Sequence, residues 1–144
     1  MSTVYKILLL ILLIYSSYTD IKTKKVMMVP VWGCALIAII EIIFPTEEGG
    51  MSFLGALPGM IFLIISFVTK GALGSGDAYL AIVIGMFLGA KNTVIIFMIA
   101  SVLAAVYSLI MLAAKRIDRK GSIPFVPFIL SGYLGILVLG ENVI

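Results

Sequence analysis

The chain contains no histidine and one cysteine, and only 12% of its 144 residues are charged. Without histidine, Ser-His and Cys-His nucleophiles are excluded, as are imidazole metal sites. The lone cysteine, Cys34, lies in an apolar run and rules out an internal disulfide or a Cys-x-x-Cys zinc site. A soluble domain carries charge on about a quarter of its residues and is roughly 45–50% apolar. This chain is 62% hydrophobic. The composition is that of an integral membrane protein, whose first partner is the lipid bilayer. A net charge of +3 is too small to require a nucleic-acid partner; in a membrane protein, basic residues first report orientation. Carboxylates are left as the source of acid–base chemistry, and no metal or cofactor is required.

A spanning helix needs about 20 mostly apolar residues. Hydrophobic segments lie at about 3–19, 26–44, 51–69, 77–90, 92–114 and 123–140, separated by "DIKTKK", "PTEEGG", "KGALGSG", "GAKN" and "KRIDRKG". None of these joints is long enough to link domains. The expectation is an all-α bundle of six transmembrane helices, with residues 1–144 forming one polytopic domain. The first segment is not a removable signal: Lys6 precedes its apolar core, whereas Lys22, Lys24 and Lys25 follow it, the reverse of a secretory leader.

The first, third and fifth loops hold Lys22, Lys24, Lys25, Lys70, Lys115, Arg116, Arg119 and Lys120, while the opposite side holds only Lys6 and Lys91. The positive-inside rule puts those three loops in the cytoplasm and both termini outside. Asp20 and Asp77 then share the cytoplasmic side of the cell membrane.

The fourth segment is short: fourteen residues make roughly 21 Å of helix, against about 30 Å of hydrocarbon. Asp77 is thereby recessed, and the preceding "GALGSG" is expected to be non-helical backbone at membrane depth, which survives only where it lines a cavity. An aspartate there costs about 2.5–3.5 kcal/mol on insertion scales. One reading makes Asp77 an N-cap. The other pairs it with Asp20, which closes the first helix where the macrodipole disfavours a negative charge. Two adjoining carboxylates hold one proton between them. One can then take a proton from water while the other donates to a carbonyl, which is peptide hydrolysis without metal or covalent intermediate. Gly71, Gly74 and Gly76 would keep the approach to Asp77 open for an extended backbone.

Asp118 lies among Lys115, Arg116, Arg119 and Lys120 and reads as part of a solvated loop. Glu41, near the outer end of the second segment, can snorkel outward and is given no role. The pairs Gly55/Gly59 and Gly85/Gly89 read as helix-packing contacts. In "GSIPFVPFIL" two prolines open the last segment, either as simple helix initiation or as a broken helix start that adds a wall to the cavity.

Asp20, "GSGDAYLAIVIGMFLG" (74–89) and "PFVPFILSGYLG" (124–135) together resemble the type IV prepilin peptidases, membrane aspartic proteases with a Gly-x-Gly-Asp motif. The resemblance implies that Asp20 and Asp77 are catalytic and that Gly74, Gly76, Tyr79, Pro124 and Phe125 lie against substrate. It further implies cleavage of the short basic leader of pilin-like precursors at the cytoplasmic face. Family members usually carry Ile-Pro where this chain has Val26 and Met27, and a lysine where it has Tyr79, which bears on substrate preference. The chain lacks the paired Cys-x-x-Cys domain of larger members. The resemblance is therefore to the compact form found in tight-adherence pilus systems, with no N-methylation expected. A presenilin-like protease cutting within a helix, and a small proton- or ion-coupled transporter, would use the same two aspartates.

Overall fold

A computed structural model of the protein describes residues 3–23, 26–44, 53–69, 74–114 and 123–139. Among these the secondary structure is entirely helical: α1 (Thr3–Thr23), α2 (Met28–Ile43), a 3₁₀ turn (Phe53–Ala56), α3 (Leu57–Val68), α4 (Ser75–Ala113) and α5 (Val126–Leu139). Lys24, Lys25, Glu47, Glu48, Lys70, Gly71, Glu141 and the whole of 115–122, with Asp118, lie outside the described residues.

Pro58 explains why the third segment is not one continuous helix. Its ring nitrogen has no hydrogen to donate to Leu54, so the chain makes a 3₁₀ turn first and α3 takes Pro58 into its opening turn.

Helix α4 is 39 residues long but is broken at Gly89 (φ 82°, ψ 163°), a backbone region that side-chain-bearing residues avoid. In a straight helix Gly85 and Thr93 would stand about 12 Å apart along the axis. Here a β-carbon on Gly85 would lie 3.4 Å from Thr93 Oγ1, so the chain doubles back into a hairpin. Thr93 Oγ1 donates to the Gly89 carbonyl (2.9 Å) and Asn92 Nδ2 to that of Leu88 (3.1 Å), which ties the turn together. The joint read at "GAKN" is therefore real, and the fourth and fifth segments are the two arms of α4.

Close backbone contact binds the 3₁₀ turn and α3 to α4. Gly55 packs on the carbonyl of Gly85 and near Gly89, while Gly59 packs on the backbone of Ile82. Farther along, Phe62 meets Phe97 of the second arm, with ring centroids 5.1 Å apart. Helix α5 lies antiparallel to α1, with Val126 beside Asp20 at one end and the Tyr133 hydroxyl donating to the Lys6 carbonyl (2.9 Å) at the other. The core joins Leu9, Leu13, Leu80, Ile84, Ile96, Ile129 and Tyr133.

The outer surface is apolar, with Val29, Phe67, Val68 and Val138 all widely exposed. Thr3–Thr23 and Ser75–Ala113 are long and apolar enough to cross a membrane, and Met28–Ile43, Phe53–Val68 and Val126–Val138 are shorter apolar helices. A straight α4 would span about 58 Å, roughly twice the hydrocarbon core; the break at Gly89 resolves that mismatch. Glu41 does not snorkel outward: it is buried in α2.

Candidate active site

Asp20 occupies the last turn of α1 and is buried. A carboxylate there faces the negative end of its own helix dipole. The opposing contribution comes from α5: the Val126 backbone N–H donates to Asp20 Oδ2 over 3.0 Å, across 106 residues of sequence. The positive end of one helix thus meets the acid that closes another.

Asp77 lies in the first turn of α4. The hydrophobic pattern predicts a helix that begins at Asp77, with the preceding Gly-Ser-Gly non-helical. In the structure the helix begins at Ser75, with Gly74 in the N-cap position and no side-chain cap. Asp77 is therefore the third helical residue rather than the cap, where the macrodipole still favours its charge, and its N–H donates to the Gly74 carbonyl (3.1 Å).

The motif glycines make room for the site's own atoms. A β-carbon on Gly74 would lie 2.7 Å from Asp77 Oδ2, so the carboxyl group folds back over Gly74. A β-carbon on Gly76 would lie 2.8 Å from the β-carbon of Val26, so the segment after α1 rests on the start of α4. Only glycine at both positions permits this closeness.

Asp20, Val26, Met28, Gly74, Ser75, Gly76 and Asp77 line one cavity of about 360 Å³. Two acids 57 positions apart in the chain are brought to a common space by the end of α1 and the start of α4. Tyr79, Pro124 and Phe125 are not among the lining residues. The Tyr79 ring sits 6.0 Å from that of Trp32 on α2, and Phe125 sits 6.2 Å from Phe97. The sequence alone assigns no role to the lining residues Val26, Ser75 and Met28 or to the Val126 amide. Val26 had a weak signal, since it stands where relatives usually have isoleucine; the amide had none.

At the far end of α1, the rings of Tyr5 and Phe87 meet edge to face, with centroids 6.1 Å apart. Helix α1 and the first arm of α4 are thus antiparallel. Both carboxyl groups gather at one end of the pair, while Lys6, next to Tyr5, lies toward the other.

The chain is similar to known proteins over most of its length. Residues 7–109 match the model of the type IV leader peptidase family, a span that contains both aspartates and the Gly-x-Gly-Asp motif. The chain is 30% identical over 138 residues to a prepilin leader peptidase/N-methyltransferase of Bacillus subtilis (strain 168), an alignment covering 92% of this chain and 54% of that relative. The chain thus spans about half the length of the curated relative it matches. No solved structure matches the chain. With nearly three quarters of its length on the family model, and two acids lining one cavity beside the motif glycines, the chain belongs to the type IV leader peptidase family.

Proposed function

We propose that the protein is a membrane-embedded aspartic endopeptidase that removes the short basic leader of pilin-like precursors at the cytoplasmic face of the cell membrane. The observation that carries this reading is the common cavity of Asp20 and Asp77, in a chain of the leader peptidase family. Counting the two arms of α4 separately supports a reading with six crossings, and the charge bias of the loops supports putting the Gly-x-Gly-Asp segment at the cytoplasmic end.

In the reaction, one carboxylate takes a proton from water as the water oxygen attacks the scissile carbonyl carbon. The protonated partner donates to the carbonyl oxygen, forming a gem-diol. The first carboxyl then passes its proton to the amide nitrogen, the C–N bond breaks, and the second recovers its proton from the collapsing diol. No metal, cofactor or covalent intermediate takes part. Tyr79, Pro124 and Phe125 are assigned to a wider substrate-contacting shell, beyond the residues that line the cavity. Lysines on a leader would be drawn to the anionic inner leaflet at about 1 kcal/mol each, which leaves the bond between leader and apolar helix beside the recessed site.

The test is co-expression with a precursor made of a short basic leader and an apolar helix of about 20 residues, scored by size and by the new N-terminus. Cleavage just before the apolar helix is expected, with a small residue on the leader side. Efficient cutting in mid-helix without a leader would favour the presenilin-like alternative. Ion movement by reconstituted protein that cleaves nothing would favour a transporter.

A further inference from the structure

The start of α5 has an unusual account of backbone donors. The first residues of any helix carry N–H groups with no partner inside it. In α5, Pro127 has no N–H to offer, and the amides of Phe128 (3.0 Å) and Ile129 (3.3 Å) both turn back to the carbonyl of Phe125. That leaves the amide of Val126, whose side chain is fully buried, and it donates to Asp20 Oδ2. The run Phe125-Val126-Pro127-Phe128 thus leaves one amide of this turn to a partner outside the helix, and that partner is a cavity-lining acid.

We propose that the Val126 amide is a positioning group for the catalytic pair, a role that rests on the peptidase reading above. It engages Oδ2 of Asp20 in a buried, charge-assisted bond and so leaves Oδ1 as the oxygen free to serve the cavity. Asp20 stands in the final turn of α1, where helices fray. A donor from a second helix fixes its rotamer and the spacing between the two carboxyls. Val126 itself touches no substrate; it acts through Asp20.

Proline suits the first position of a helix, so Val126→Pro keeps α5 while deleting the N–H, and its ring Cδ, standing where the hydrogen pointed at Asp20 Oδ2, drives that oxygen out of place. Val126→Ala removes the side chain and keeps the donor. With purified enzyme and a leader-plus-helix peptide, Val126→Pro is expected to lower kcat by about 10–100-fold with KM unchanged, the scale of a misplaced catalytic group. Val126→Ala should stay within about threefold of wild type, since a surviving donor preserves the geometry. A wild-type kcat in Val126→Pro, or an equal loss in both variants, overturns the positioning role and leaves the peptidase reading standing. Absence of cleavage by the wild type overturns the peptidase reading and the positioning role with it.

A second measurement covers the case in which Val126→Pro does not accumulate. In ¹⁵N-valine-labelled protein in micelles, the Val126 amide resonance is identified by its loss in Val126→Ala. It is expected to move in Asp20→Ala and to stay in place in Lys22→Ala, a nearby exposed charge. A resonance indifferent to Asp20 overturns the proposal.

Discussion

The Asp77 carboxyl group lies over Gly74 so closely that a β-carbon at position 74 would stand 2.7 Å from Oδ2. The obstructed atom is the end of a side chain, which can swing aside, so the cost falls on the position of the acid rather than on the fold. Gly74→Ala is therefore expected to insert and melt like wild type in detergent while cleavage falls by about 10–100-fold, as for other misplacements of a reacting group. A variant that keeps full activity would show that this rotamer of Asp77 is not the working one.

Gly55 makes the opposite prediction. A side chain there would meet the backbone of Gly85, which cannot move without separating the 3₁₀ turn from α4. Overpacking of this kind costs about 1–3 kcal/mol or more. Gly55→Ala should lower the thermal midpoint in detergent, whereas Gly135→Ala, with open space around its site, should not.

If Asp20 and Asp77 act as a pair, asparagine at either position keeps the shape and removes one acid–base role. General acids and bases contribute about 10²–10⁴-fold, and coupled groups lose most of their effect together. Asp20→Asn and Asp77→Asn should each abolish detectable cleavage, and the double variant should be little worse. Asp118→Asn should remain active. Wild-type cleavage by Asp77→Asn would reduce Asp77 to a helix-start residue.

The same pair predicts a bell-shaped dependence of rate on pH. Below the lower apparent value both carboxyls are protonated and none can accept from water; above the upper value both are ionised and none can donate. The two values belong to the pair and not to either residue. Asp118→Asn should leave the profile in place, and a single sigmoid in the wild type would argue against shared acid–base work.

Orientation is tested by cysteine labelling in a Cys34→Ser background. Probes placed in loops one, three and five should react only from the cytoplasmic side, as the split of eight basic residues against two requires. Labelling of the third loop from outside would separate Asp77 from that side and with it the catalytic reading.

Much of this molecule was written locally. Scarcity of charge set the solvent, and the absence of histidine left carboxylates for acid–base work. The "GAKN" joint marked where α4 doubles back, because Gly89 alone in that turn can take a φ of 82° without strain. The glycine pairs 55/59 and 85/89 announced close helix contact, because a missing side chain is visible in sequence. Tertiary structure decided what depends on neighbours distant in the chain. It started α4 at Ser75, used Gly76 as a seat for Val26, and buried Glu41. It also joined Asp20 to Val126. That last bond was illegible for a physical reason: every residue but proline carries the same N–H, and only the path of α5 decides which one faces an acid 106 positions away.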